Sequence, residues 1–166
     1  MFADTLFRWR LRDAKGCELD GRDLNRVIIQ PDKRVHITPV LYQTKISPND
    51  KIQLLPANTP ISTLVCQLNA LNPTHLEGFP SIVYQLAQCQ LDSLLNIQPM
   101  RIGTNSEMLT ASMRETIQTA WPGIPVNNHW GSTDSGSHAV SCDYSEYGHL
   151  HEDRNIIEPV DQCGSK

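Results

Sequence analysis

An α/β fold with a parallel β-sheet is the fold class that this 166-residue sequence predicts. From Pro60 onward, stretches of helical periodicity alternate with short apolar runs that are too brief to form helices. Proline or glycine lies close to most of the boundaries, and the connections are short. A β-α-β-α-β series of this kind almost always folds as parallel strands joined by right-handed crossover helices.

The first part of the chain, residues 1–59, is weakly patterned and is expected to contain only short strands. Residues 26–30 and 34–38 are β-branched runs separated by Pro31 and Asp32, which predicts a hairpin or a strand pair around a turn. Residues 51–55 form a third short run. The alternative is that all three runs are irregular edge segments.

The core of the domain is expected in residues 60–136 and starts with a helix that ends at Asn72-Pro73. Its apolar residues recur at helical spacing, and they are Ile61, Leu64, Val65, Leu68 and Leu71. Residues 74–78 predict a strand. Pro80 is expected to open the second helix, because the first helical position needs no backbone N–H. The buried stripe of that helix is predicted to be Ile82, Val83, Leu86 and Ala87.

The remaining elements follow the same alternation. Residues 99–103 predict the second core strand, and residues 125–130 predict the third. Between them, a third helix is expected to end at Pro122-Gly123, and its apolar positions are Met113, Ile117, Ala120 and Trp121. Residues 137–166 are expected to add a short β-rich extension. Its β-like pieces at 137–142 and 154–160 would form a small mixed or antiparallel layer.

Composition excludes several classes of function. The chain has 14 Lys and Arg against 18 Asp and Glu, a formal net charge of −4, which argues against nucleic-acid and anionic-membrane binding. No apolar run approaches the roughly 20 residues of a membrane span, and the basic start has no apolar region typical of a secretory signal. We expect a cytoplasmic protein with no nucleic-acid or membrane partner.

The five cysteines lack C-x-x-C spacing, and Cys66 and Cys89 are predicted to be small buried residues.

Three polar segments follow the predicted core strands, and ligands of open α/β sheets bind beyond the carboxyl ends of strands. The segments are residues 78–81, 103–107 and 131–136. The last two begin with glycine, continue through small hydroxyl or amide side chains and contain one carboxylate. Glycine allows close backbone approach, N–H and hydroxyl groups donate to phosphate, and a carboxylate can hold a divalent cation. They predict half of a nucleotide site, although a polar turn remains the alternative.

Known phosphate-loop and nucleophile motifs are missing from the sequence. It contains neither G-x-x-x-x-G-K-[ST] nor G-x-G-x-x-G, and no serine has the glycine spacing of a G-x-S-x-G elbow. Five segments between Pro60 and Gly164 nevertheless occur in a specific order, and they are Leu71–Ser81, Gly103–Leu109, Val126–Gly136, His149–Asp153 and Ile157–Asp161. In order and spacing they resemble the adenylate-forming superfamily, and within it the phenylacetate–coenzyme A ligases.

The resemblance implies roles for individual residues. The family's aromatic-Gly-x-Thr-Glu motif falls on residues 130–134. Trp130 would pack near the adenine and acyl pocket, the Thr133 hydroxyl would contact phosphate, and Asp134 would hold Mg²⁺, so Thr133 and Asp134 are the catalytic candidates. The sequence departs from the family at two positions, with Trp130 for Tyr or Phe and Asp134 for Glu. The shorter aspartate changes the distance between metal and phosphate.

The other implied contacts form a nucleotide-binding set and one pocket residue. The nucleotide-binding set is Gly103, Thr104, Asn105, Ser106, Glu107, Trp130, Gly131, Ser132 and Thr133. Phe79 would lie near the acid-binding pocket. The implied ligands are ATP, Mg²⁺, coenzyme A and a small-molecule carboxylic acid.

The chemistry that the resemblance implies is attack of a carboxylate on the α-phosphate of ATP, followed by transfer of the acyl group to a thiol. Catalysis of this kind depends on positioning and electrostatics, so every phosphate ligand matters. The family's Ser/Thr/Gly-rich loop ending in lysine is not found before Pro60, and its ribose-binding Thr-Gly-Asp and C-terminal lysine domain are not found after Asp161. We therefore expect an internal fragment of such a ligase, inactive alone, whose uncovered sheet edge favours self-association.

Two other readings stay open. His138, Cys142, His149 and His151 fall within 14 residues, and His and Cys are the ligands that zinc prefers, so a zinc-stabilised structural domain is one alternative. The ligands of that zinc would be Cys142, His149 and His151. The other alternative is a non-catalytic module that binds adenine nucleotide or serves in assembly.

Overall fold

The computed structural model describes residues 25–31, 51–132, 136–142, 145–152, 156–158 and 160–161. Ten elements lie in these ranges. The strands are β1 (Asn25–Gln30), β2 (Lys51–Pro56), β3 (His75–Gly78), β4 (Arg101–Asn105), β5 (Val126–Ser132), β6 (Gly136–Cys142) and β7 (Ser145–Leu150). The helices are α1 (Ile61–Leu71), α2 (Pro80–Leu91) and α3 (Ala111–Ala120).

All seven strands form one sheet, in the order β2-β1-β3-β4-β5-β6-β7. The first five are parallel, whereas β6 and β7 are antiparallel to their neighbours. The chain leaves β1 toward β2 at one edge and then returns across β1 to β3. The strand order therefore reverses between β1 and β3, and such a reversal is where ligands bind in open parallel sheets.

The predicted helix boundaries are confirmed by their local chemistry. Helix α1 ends because Asn72 adopts a left-handed conformation with φ 41°, and its N–H donates to the Leu68 carbonyl. Pro80 occupies the first turn of α2, as predicted. Thr110 caps α3, since its side-chain oxygen accepts a hydrogen bond from the Met113 N–H. An N-cap hydroxyl of this kind satisfies one of the first backbone donors of a helix.

The hydrophobic core lies between the three helices and one face of the sheet. Every second residue of the central strands points into it, and these residues are Val27, Ile29, Leu76, Ile102 and Val126. The helices contribute the predicted stripes, including Leu64, Val65 and Leu68 from α1 and Ile82, Val83, Leu86 and Ala87 from α2. Trp121, directly after α3, is 1% exposed, and its Nε1–H donates to the Ile97 carbonyl at 3.1 Å.

Cys66 differs from the prediction. It lies on α1 but is exposed, because the core-facing positions of that helix are Leu64, Val65 and Leu68. Cys89 is half-buried, and both thiols are free.

Two strand predictions also shift. The second core strand is Arg101–Asn105 rather than 99–103, because Thr104 pairs with Gly78 and Asn105 pairs with His129 at its carboxyl end. The antiparallel strands after Trp130 extend the main sheet, and the second of them is Ser145–Leu150, which forms a hairpin with β6. Residues 156–158 and 160 are not in a strand. The rest of the predicted 154–160 piece, and the whole predicted 34–38 strand, lie outside the described residues.

The edges of the described sheet are β2 and β7, and self-association through an edge remains a prediction. One sheet includes strands from all three predicted segments, 1–59, 60–136 and 137–166. None of the three described helices has the length and hydrophobicity needed to span a membrane.

Candidate functional site at the carboxyl edge of the sheet

The described parts of the three predicted polar segments lie at one edge of the sheet. Strands β3, β4 and β5 are adjacent and parallel, so their carboxyl ends lie side by side. The first segment, residues 78–81, joins β3 to α2, and Ser106 and Glu107 follow β4 directly. Trp130, Gly131 and Ser132 form the carboxyl end of β5.

A hydrogen bond joins the first two segments. The Ser81 N–H, in the first turn of α2, donates to Glu107 Oε2 at 3.1 Å. Phe79, the N-cap residue of α2, makes no side-chain capping bond. The Glu107 carboxylate therefore satisfies one of the free N–H groups at the positive end of the helix, which fixes the loop after β4 against α2.

Replacing Glu107 with alanine is expected to lower the free energy of unfolding by about 1 kcal/mol, the usual cost of losing a helix cap. Urea denaturation followed by circular dichroism measures this difference. Glu115→Ala is the matched control, because Glu115 is exposed on α3 outside this loop and its replacement should change the free energy by less than about 0.5 kcal/mol. Equal losses in the two variants would show that the Glu107–Ser81 bond contributes nothing.

The second predicted segment, residues 103–107, is a loop only in its last two residues. Gly103, Thr104 and Asn105 lie inside β4, because that strand pairs with β3 on one side and β5 on the other. The Thr104 hydroxyl donates to Asn128 Oδ1 at 2.9 Å, on the helix-bearing face. Asn105 Nδ2 donates to Glu77 Oε1 at 3.0 Å, on the opposite face.

Ser106 turns the chain out of β4. Its φ of 67° places it in the left-handed region, which is uncommon for a residue other than glycine. Its hydroxyl donates to Asn105 Oδ1 at 2.8 Å, and this local bond supports the turn. Ser106 and Glu107 are both exposed, so they are the residues of this segment that face solvent at the edge.

An exposed aromatic ring directly precedes the third predicted segment, and the segment itself makes a tight backbone contact. The Trp130 side chain is 54% exposed, and its ring packs against the His138 ring with centroids 4.8 Å apart. The pairing of β5 with β6 shifts register between Trp130 and Gly131. A Cβ atom at Gly131 would lie 2.5 Å from the Gly136 carbonyl oxygen, so only glycine fits there without movement of the backbone. Thr133 and Asp134 lie outside the described residues.

His129 directly precedes Trp130 and is held in place by β6. Its Nε2 atom lies 2.8 Å from the Ser137 hydroxyl oxygen. On the helix-bearing face, the Asn128 N–H donates to the Ser141 hydroxyl at 2.5 Å. These two bonds fix the end of β5 against β6, so Trp130 projects from a well-supported part of the sheet.

The other predicted site residues are the pocket residue Phe79 and the zinc candidates Cys142, His149 and His151. Phe79 is half-buried and packs against the hydrophobic core. His149 is exposed and His151 is half-buried, and Cys142 is the last residue of β6. Within the ranges that the structure describes, no group of three His, Cys, Asp or Glu side chains is arranged to hold a metal ion.

A small cavity lies on the sheet face opposite the described helices, and sequence reasoning did not find it. Its volume is about 40 Å³. The polar residues among the described residues that line it are Arg26, His75, Glu77, Arg101, Thr104, Asn127 and His129. The sequence does contain a signal for this cavity. In β1, β3, β4 and β5, most of the positions that alternate with the apolar core residues are polar residues or glycine, so they lie on the other face of the sheet.

No family model matches this chain. Over 70 residues, 41% of this chain, it is 31% identical to Protein CapK of Staphylococcus aureus, of which the matched region is 15%.

Solved structures match over a longer part of the chain. The structure of 2-hydroxyisobutyryl-CoA ligase in complex with 2-HIB-AMP and CoA matches with a TM-score of 0.62 at 16% identity, over 84% of this chain. A long-chain-fatty-acid-CoA ligase from Archaeoglobus fulgidus matches with a TM-score of 0.60 at 10% identity, also over 84%.

The chain spans about a third of these solved structures, 32% of the first and 29% of the second. At such low identity the likeness concerns the fold. The mostly parallel seven-stranded sheet with its flanking helices is the fold of part of an adenylate-forming ligase domain.

Proposed function

We propose that this chain is part of an ATP-dependent carboxylic acid–thiol ligase, related to the phenylacetate–coenzyme A ligases, and that its carboxyl edge binds the nucleotide. In the reaction of such an enzyme, a carboxylate oxygen attacks the α-phosphate of ATP, forming an acyl-adenylate and releasing pyrophosphate. A thiol such as that of coenzyme A then attacks the acyl carbon, forming a thioester and releasing AMP.

One observation carries this proposal. Three polar segments are separated along the chain, and the last two of them predict half of a nucleotide site, but their described parts follow neighbouring strands and lie at one edge. The Glu107–Ser81 bond holds two of them together. Directly before the third segment, the exposed Trp130 ring lies at the same edge. An exposed aromatic face is suited to stacking on a nucleobase.

In this proposal, different residues contact different parts of the nucleotide. The Trp130 ring, which packs against the His138 ring, stacks on the adenine. Ser106 and Glu107 line the same edge through the turn after β4. Ser132, at the exposed end of β5, leads into Thr133 and Asp134. In this proposal Thr133 donates its hydroxyl to a phosphate oxygen and Asp134 holds Mg²⁺, which neutralises phosphate charge when it is bound.

Thermal unfolding of the full chain with and without ATP and Mg²⁺ tests the proposal. A ligand that binds only the folded state raises the melting temperature, with a stabilisation of about 2.7 kcal/mol at a hundredfold excess over Kd. We expect a rise for the wild type that is lost in Trp130→Ala and reduced in Asp134→Asn. Glu152→Gln, an exposed carboxylate beyond β7, is the control and should respond like the wild type. No rise in the wild type would contradict the proposal.

Whether the chain catalyses formation of acyl-adenylate is a separate matter from whether it binds ATP. The sequence has no Ser/Thr/Gly-rich loop ending in lysine before Pro60, so we propose that the chain alone binds nucleotide without forming acyl-adenylate. This favours a non-catalytic nucleotide-binding role for the isolated chain. Pyrophosphate release in the presence of ATP, Mg²⁺ and a carboxylic acid would contradict it.

A further inference from the structure

We propose that His138 is a positioning residue for the nucleotide, because its ring covers one face of the Trp130 indole and holds the other face ready for the base. The inference rests on the proposed function, since that function brings a nucleotide to this edge. It adds how the stacking ring is fixed before the nucleotide arrives.

His138 is an extra residue in the pairing of β5 with β6. Trp130 pairs with Ala139 and the next residue, Gly131, pairs with Ser137, so the pairing passes over His138. An insertion of this kind is a β-bulge, which redirects side chains and is common beside functional sites. In a regular ladder His138 would pair with Gly131, and its side chain would lie on the opposite face of the sheet from Trp130. The bulge therefore makes the contact between the two rings possible.

The two rings overlap instead of lying side by side. Their centroids are 4.8 Å apart and their planes are inclined by 36°. Rings that touched only at their edges would have centroids about 6 Å apart, given the usual spacing of non-bonded carbon atoms. His138 therefore covers one face of the indole. The Trp130 side chain is still 54% exposed, which leaves ring surface for a base to stack on.

The backbone on both sides of His138 is held by contacts within the protein. The Ser137 hydroxyl oxygen lies 2.8 Å from the His129 Nε2 atom. The His138 carbonyl accepts a hydrogen bond from the His151 N–H at 2.8 Å. Ala139 is buried and pairs with β5 on one side and β7 on the other. These contacts hold the bulge in place without a nucleotide, so the His138 ring meets Trp130 from a fixed point.

A ring that is held in advance loses less freedom when the base binds. An exposed tryptophan on a strand can occupy more than one rotamer, and ordering such a side chain on binding weakens the affinity. Contact with His138 removes part of this freedom in the unbound protein. We expect the support to strengthen ATP binding by about three- to tenfold, which corresponds to the usual cost of ordering one side chain.

The first measurement is made on the full chain without nucleotide. The heteronuclear NOE of the indole N–H group reports the picosecond-to-nanosecond motion of the Trp130 ring, and Trp130→Phe identifies its signal among the three tryptophans. We expect His138→Ala to lower this NOE, because the ring gains motion. Leu150→Ala is the matched control and should leave the NOE unchanged, since Leu150 lies in the same row as Trp130 but two strands away.

The second measurement is the Kd of ATP in the presence of Mg²⁺. His138→Ala should raise Kd about three- to tenfold, and His138→Phe should restore it to within about twofold of the wild type. Phenylalanine keeps a flat ring but has no nitrogen, so its rescue separates ring packing from the hydrogen bonds and charge of imidazole. His138→Leu has no flat ring and should restore less. Leu150→Ala should bind like the wild type, and the dispersion of the spectra reports whether each variant is folded.

An ATP affinity that is unchanged in His138→Ala, or that His138→Phe does not restore, would overturn the positioning role. NOEs from adenine protons to the His138 ring would also overturn it, because the base would then lie between the rings and not on the free face of the indole. If the wild type did not bind ATP, the proposed function would fail, and the indole NOE without nucleotide would still show whether His138 holds Trp130. An unchanged indole NOE in His138→Ala would overturn this inference and leave the proposed function intact.

Discussion

Replacing Gly131 with alanine is expected to destabilise the protein by about 3 kcal/mol and to weaken ATP binding about tenfold or more. The added Cβ would lie 2.5 Å from the Gly136 carbonyl oxygen, which is part of the backbone and cannot rotate away. The β5–β6 pairing must open to relieve the contact, and that movement shifts Trp130 and the segment after it. Urea denaturation measures the stability, and a thermal-shift titration measures the nucleotide.

Gly103→Ala is the matched control for this variant. It adds the same methyl group in a neighbouring strand, but the nearest atom is Cγ of Glu77, at 3.1 Å, in a side chain that can move. Alanine is also favoured over glycine within a strand, so we expect a net change of less than about 1 kcal/mol. If Gly131→Ala lowered the free energy of unfolding as little as Gly103→Ala, the close approach of β5 and β6 would not limit the residue at position 131.

Replacing Trp121 with alanine is expected to have the largest effect on stability, a loss of about 3–5 kcal/mol. The side chain is 1% exposed and packs among the helices and the sheet, so alanine leaves a cavity that its neighbours fill only partly. A domain of this size is typically stable by about 5–15 kcal/mol, so the variant is expected to be close to unfolding. Far-UV circular dichroism in urea measures the loss.

Trp121→Phe separates packing from hydrogen bonding. It keeps most of the ring but removes the Nε1–H that donates to the Ile97 carbonyl, so we expect a smaller loss of about 1–3 kcal/mol. Met108→Ala is the control for a large exposed side chain, since Met108 is 82% exposed, and should change the stability by less than about 0.5 kcal/mol. A Trp121→Ala variant as stable as Met108→Ala would contradict the described core.

The helices and core strands could be predicted from the sequence because their signals are local. Helical periodicity depends on residues three and four apart, and Asn72, Pro80 and Pro122 mark boundaries by their own backbone preferences. The order of the strands could not be predicted. That β2 lies beyond β1, and that β3 pairs with β1 on its other side, depends on contacts between distant residues.

The polar cavity was missed for a similar reason. Arg26, His75 and Arg101 appear in the sequence as isolated polar residues beside apolar ones. They become a group only once β1, β3 and β4 are placed side by side in register. Alternation along each strand predicts that these residues leave the core face, but it does not predict which residues of other strands they join.

The candidate nucleotide edge was predicted in part. The sequence located its three segments, because each follows a predicted core strand and the last two contain small hydroxyl and amide side chains. It did not predict that Thr104 and Asn105 would be inside β4, nor that Glu107 would bind the first turn of α2. Both depend on the pairing of β4 with its two neighbours.

The most direct test of the nucleotide-binding proposal is an ATP titration of the wild-type chain in the presence of Mg²⁺, followed residue by residue by amide NMR. We expect the largest shifts at Ser106, Glu107, Trp130, Gly131 and Ser132, at the carboxyl ends of β4 and β5. Strand β2, at the far edge of the sheet, should be unaffected. Shifts that are absent at millimolar ATP, or that map to β2 instead, would contradict the proposal that this edge binds the nucleotide.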